Sequence, residues 1–144
     1  MDIIRQLFRE YEAGLGEDLC FQSFEAELKD PLKKYGPPAG VLLLARWEGA
    51  AAGCIALTPM KEPGACEMKR LYVRAALRQH KIGRQLVEAL LAEARQKGYA
   101  VMKLDTLQRL QPAIRLYEQY GFVHTTAYYP NPIKDAVYME KPLS

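Results

Sequence analysis

Ile3, Ile4, Leu7, Phe8 and Tyr11 recur every three or four residues, with Arg5, Gln6, Arg9 and Glu10 between them. That spacing predicts an amphipathic helix ended by Gly14. Residues 24–29 predict a second, shorter helix, capped by Ser23 and followed by Pro31. Residues 33–40, which include Gly36-Pro37-Pro38, read as a loop. Apolar runs cover 41–47 and 50–58, and the intervening Glu48-Gly49 marks a hairpin. After a turn at 59–64, residues 65–73 form a third strand. The strongest helical period runs over 82–97: Leu86, Val87, Leu90, Leu91 and Ala94 share one face, and Gly98 closes the helix. A strand at 99–105 follows. Ala113, Leu116, Tyr117 and Tyr120 then mark a short helix between Pro112 and Gly121. Closing strands at 122–127 and 136–139 flank the loop holding Tyr128 and Tyr129.

The third strand changes phase. Cys66 and Met68 occupy even positions, whereas Leu71 and Val73 occupy odd ones. One face can hold all four only if an extra residue is inserted near Lys69–Arg70, which is a β-bulge. A bulge there would push neighbouring strands apart and open a cleft. Three meandering strands followed by strand–helix–strand units predict an α/β fold. Its sheet is mixed, mostly antiparallel over the N-terminal strands, with helices on both faces.

Composition mainly excludes. With 144 residues, 49% hydrophobic and 26% charged, the chain suits one globular domain. Its longest apolar run, at 41–45, is far short of the ~20 residues of a membrane helix. The charged N-terminus lacks the apolar stretch of a signal peptide, so a cytoplasmic protein away from membranes is expected. Cys20, Cys54 and Cys66 lack metal or disulfide spacing, so no metal is expected. Charge is more informative. Residues 69–84 carry six lysines and arginines and no acid, leaving a net −3 on the rest of the chain. A cationic stretch on an acidic body suits a compact anion better than nucleic acid.

Within that stretch, residues 77–86 leave a strand and enter the strongest helix. A helix start offers unpaired N–H groups and positive dipole charge, and Gly83 permits close approach by a ligand. Three segments share a wider pattern: Glu67-Met68-Lys69-Arg70-Leu71-Tyr72-Val73, Arg78-x-x-x-Ile82-Gly83-Arg84, and Leu116-Tyr117-x-x-x-Gly121-Phe122. Together they resemble the GNAT superfamily of acyl-CoA-dependent N-acetyltransferases, closely over 67–122. Lys81 stands where the family pattern has its first glycine, and Leu110 where the family often has asparagine. The family's first strand is missing or very short.

The resemblance implies a splayed, bulged central strand and acetyl-CoA as co-substrate. The backbone of Leu71, Tyr72 and Val73 would hold the pantetheine arm. Amides of Gln79, His80, Lys81, Ile82, Gly83 and Arg84, preceded by Arg78, would hold the pyrophosphate. A right-handed helical backbone at Lys81 would keep that cradle without glycine. The whole of 1–144 would be one acyl-CoA-dependent N-acetyltransferase domain, monomeric or homodimeric.

Chemistry then asks for a base. An alkylamine of pKa ~10.4 is ammonium at neutral pH, and making it nucleophilic costs roughly 4–5 kcal/mol. Glu67 matches the position of the base in the histone-acetyltransferase-like branch. Its plainer reading is a strand carboxylate paired with Lys69 or Arg70; Glu62 and Asp105 are lesser candidates. Tyr117 matches the family's tyrosine acid, and otherwise is a core residue beside Ala113 and Tyr120. Cys66 points away from Glu67 on the strand, against an acetyl-cysteine route. His80 reads as a surface side chain. Tyr128, Tyr129 and Tyr138, with Phe21, Phe24 and Tyr35, either line an acceptor pocket or fill the core. The expected reaction moves an acetyl group from acetyl-CoA to a primary amine by direct attack in a ternary complex. A non-catalytic CoA- or nucleotide-sensing module of the same fold is the alternative.

Overall fold

A computed structural model of the chain describes residues 2–16 and 24–143. Three helices come first: α1 (Asp2–Leu15), α2 (Phe24–Lys29) and α3 (Pro31–Tyr35). A hairpin of β1 (Val41–Trp47) and β2 (Ala50–Pro59) leads to β3 (Ala65–Val73), a short 3-10 helix (Ala75–His80) and α4 (Ile82–Gln96). Then follow β4 (Val101–Leu107), α5 (Gln111–Gln119), β5 (Val123–Thr125) and β6 (Ala136–Pro142). The six strands form one sheet in the order β1-β2-β3-β4-β6-β5. All neighbours are antiparallel except β3 and β4. The mixed α/β sheet with helices on both faces is therefore as expected, and no strand precedes α1 among the described residues.

Several boundaries differ from the pattern reading. Gly14 lies within α1, and Gly16, at φ +69°, ends it. Pro31, expected only to follow the second helix, opens α3, which runs on to Tyr35 over the start of the 33–40 segment expected as loop, because proline presets the backbone of a first helical turn. The 3-10 helix was likewise unmarked, having no buried face to impose a period. Strand β5 is only three residues long, with Val123 exposed at the sheet edge. Cys20, Phe21 and the Ser23 cap lie outside the described residues.

Two features of β3 position the site. Between the pairs Cys54↔Tyr72 and Ala56↔Lys69, two steps on β2 face three on β3. This is the bulge, and Arg70 occupies it in the left-handed region at φ +62°. Cys66, Met68, Leu71 and Val73 all pack on the α4 side, as the phase change requires. Tyr72 joins the opposite core with α1, α2 and α3. Then β3 parts from β4. They pair only at Ala65↔Val101, Cys66↔Met102 and Glu67↔Lys103, although both strands run on.

The Arg70 side chain fastens the bulge. It is 2% exposed, and its Nε and Nη2 donate to the two Glu27 carboxylate oxygens at 2.7 and 3.0 Å. The Tyr35 hydroxyl donates to the same carboxylate at 2.7 Å, and the Tyr11 and Phe24 rings lie 5.5 and 5.3 Å from the guanidinium carbon. Removing one partner of such a buried pair costs ~3–5 kcal/mol.

Candidate active site

Where β3 and β4 diverge, a cavity of about 440 Å³ opens between Met68–Val73 on one strand and Leu104–Thr106 on the other. Tyr11, Gly14 and Leu15 of α1 wall one side, and Ala113, Leu116 and Tyr117 of α5 another. Arg78 and Gly83 reach it from the loop before α4 and the first turn of α4. Backbone groups of β3 beyond Glu67 have no partner on β4, so an extended ligand arm has a strand edge to lie along.

Leu71, Tyr72 and Val73 all line this cavity. Of the loop residues, Arg78 and Gly83 do so, whereas Gln79, His80, Lys81, Ile82 and Arg84 do not. Arg78 donates from Nε to the Val73 carbonyl at 3.0 Å, closing the end of β3. The His80 ring stacks on Trp47, 4.1 Å between centroids and 15° from parallel. Ile82 is buried and roots α4 in the core. The Arg84 guanidinium lies 5.7 Å from the centre of the Tyr120 ring. Lys81 corrects the expectation of a right-handed backbone: it stands at φ 59°, ψ 27°, in the left-handed region. The turn from 3-10 helix to α4 demands that conformation, which suits the glycine it replaces. No side chain caps α4, so its first-turn N–H groups lack a side-chain acceptor.

Tyr117 is 6% exposed and faces the cavity; its hydroxyl makes no hydrogen bond among the described residues. Burial pushes this phenol well above its usual range. Glu67 does not line the cavity. Its carboxylate accepts from the Tyr128 hydroxyl at 2.7 Å and lies 3.5 Å from the Lys69 ammonium. Glu62 pairs at 3.6 Å with Lys103. Asp105 does line the cavity, accepting from the Tyr129 hydroxyl at 2.5 Å and Asn131 Nδ2 at 3.2 Å. Tyr128, Tyr129 and Tyr138 pack ring against ring at 5.3–5.9 Å, so these three gather around the two carboxylates. Phe24 and Tyr35 are core instead, fully buried beside Glu27. Cys66 packs on the α4 side, and burial pushes its thiol up to about 12.

Pattern reading did not anticipate the Tyr128 bond to Glu67 or the Arg70–Glu27 pair. Partners separated by 61 and 43 residues leave no periodic signal.

The profile of the acetyltransferase (GNAT) family matches residues 1–122. An uncharacterized N-acetyltransferase of Schizosaccharomyces pombe is 48% identical, across 100% of this chain and 89% of its own. Among solved structures, a candidate acyl-CoA N-acyltransferase of Klebsiella pneumoniae is 33% identical with a TM-score of 0.71, covering 87% of this chain and 86% of its own. A Bacillus subtilis acetyltransferase solved with CoA shares the fold, at 20% identity and a TM-score of 0.62 over 72% of this chain and 76% of its own. The match across the splayed strands, the α4 turn and α5 makes this chain a member of the GNAT acetyltransferase family, and hence an acyltransferase.

Proposed function

We propose that this protein transfers an acetyl group from acetyl-CoA to a primary amine by direct attack in a ternary complex. The observation that carries the reading is the cavity between β3 and β4, which joins an unpaired strand edge to the uncapped start of α4. The cradle fits the chemistry of CoA. Pantetheine amides suit the β3 edge, and first-turn N–H groups suit a pyrophosphate. Gly83 adds room: a Cβ there would meet only Leu116 and Val73 side chains, at 3.6 and 3.8 Å. The protein's own packing does not demand glycine; a close ligand would.

In this reading Glu67 is the base. Tyr128 and Lys69 stand around its carboxylate, so proton removal from the ammonium runs through a bridging water. Tyr117 donates its hydroxyl to the sulfur as thiolate charge develops. The raised phenol pKa fits donation of a hydrogen bond rather than loss of the proton. Bound acetyl-CoA supplies the activated acyl group. The test is thiol release from acetyl-CoA with a panel of primary amines. Amine-dependent thiol is expected, together with a rise in Tm on adding acetyl-CoA. For Tyr117→Phe, kcat should fall ~10²-fold while Tm stays put, since the hydroxyl has no hydrogen-bond partner among the described residues. A fully active Phe variant reduces Tyr117 to packing, and no Tm response to acetyl-CoA overturns the reading.

A further inference from the structure

Asp105 stands two residues beyond the last β3–β4 pair, at the point where the strands part. Its Oδ2 is held by the Tyr129 and Asn131 donors, both neutral. Oδ1 accepts from no described residue, and no described lysine or arginine forms an ion pair with this carboxylate. The neighbouring cations are engaged elsewhere: Lys69 on Glu67, and Lys103 on Glu62 and Glu140. Asp105 thus differs from Glu67, which already has an ammonium beside it.

On the side away from Lys69 and Arg70, most side chains near this carboxylate are aliphatic. A smaller void of about 30 Å³ shares Asp105 with the main cavity and is otherwise walled by Tyr11, Leu15, Thr106, Leu107, Leu110 and Ile133. A half-buried carboxylate, preorganised by two neutral donors and facing apolar walls, is set to receive a cation. We infer that Asp105 anchors the ammonium of the acceptor, and that the acceptor is a small primary amine on an apolar body without a carboxylate of its own. An acceptor carboxylate would be repelled by the Asp105 carboxylate, and the nearest lysine of the cavity wall, Lys69, already stands on Glu67. A second ammonium, as in a polyamine, would lie against Leu15, Leu110 and Ile133. This inference rests on the acetyl-transfer reading above.

The test is calorimetry on the full-length protein saturated with CoA, so that binding is read without turnover. Phenethylamine is the probe, compared with phenethyl alcohol, phenylalanine and spermidine. Phenethylamine should bind at least ~10-fold more tightly than the other three. Asp105→Asn should weaken it roughly 10–100-fold, the range of a hydrogen bond to a charged group, without weakening phenethyl alcohol or CoA. The unchanged CoA affinity shows that the variant folds, and the wild-type panel tests the idea independently of it. Equal amine affinity in Asp105→Asn, tighter binding of spermidine or phenylalanine, or no amine binding to the CoA-loaded protein each overturns the inference. Failure to bind CoA at all removes the acetyl-transfer reading instead.

Discussion

Lys81 shows how one residue can carry strain for the sake of a turn. It links the 3-10 helix to α4 at φ 59°, a conformation that an L-residue with a Cβ adopts at a cost of ~1–2 kcal/mol. The side chain is exposed, so no packing offsets that cost. Glycine would relieve the strain but lose ~0.4–1 kcal/mol through a freer unfolded chain. Lys81→Gly should therefore stabilise the protein by about 0.5–1 kcal/mol, raising Tm by roughly 2–4 °C. Lys81→Ala keeps the Cβ and should gain nothing. Thermal unfolding of the two variants separates backbone strain from the loss of a charge; equal Tm values would rule the strain out. The same pair measures the side chain's part in ligand binding. If the turn before α4 holds the phosphates of CoA as proposed, the exposed lysine contributes ~0.2–1 kcal/mol to binding, a loss that should shrink as salt rises.

In the proposed acetyl-transfer reading, the start of α4 makes opposite demands on stability and binding. Gly83 sits in its first turn, where alanine is better for a helix by ~0.5–1 kcal/mol and an added Cβ meets only ordinary contacts. Gly83→Ala should accordingly raise Tm by a few degrees while weakening acetyl-CoA, because the methyl group occupies the cavity wall. Calorimetry beside a melting curve checks both signs; gain in stability with unchanged acetyl-CoA affinity would take the ligand away from this turn. This element was legible in the sequence, since Leu86, Val87, Leu90, Leu91 and Ala94 repeat at helical spacing and all five are buried in the core. The bulge was legible too, from the change of phase between Met68 and Leu71. Other parts were not. Helix α3 is a single turn after Pro31, too short to show a period. That Asp105 faces the cavity while Glu67 does not follows from where β3 leaves β4, a property of two strands 36 residues apart in their pairing. The handedness of Lys81 is set by the elements it joins, not by lysine.

At the scale of the molecule, the sheet separates two cores, and each contains a buried thiol. Cys54 packs among α1, α2 and α3, with its Sγ 3.4 Å from the Arg70 carbonyl at the bulge. Cys66 packs on the α4 side, with its Sγ 3.6 Å from the Val101 carbonyl. Burial pushes each thiol from 9.0 up to about 12. It also raises the phenols of Tyr11, Tyr35 and Tyr117. In the unfolded chain these groups ionise at their ordinary values, while the folded protein keeps their protons. Stability is thus fully present below pH 9 and declines as pH climbs from 9 towards 12. One unit above 9, the two thiols together withdraw about 3 kcal/mol, a sizeable share of a total of ~5–15 kcal/mol. Tm should then be lower at pH 10 than at pH 8 by roughly 6–12 °C. The double variant Cys54→Ala with Cys66→Ala should be less stable at pH 8 but lose much less over the same interval. In the native protein at pH 8, iodoacetamide should modify neither thiol, whereas both should react once urea unfolds the chain. Rapid native labelling of Cys54 or Cys66, or a Tm that does not fall on the alkaline side, would mean that water reaches the two cores on either side of the sheet.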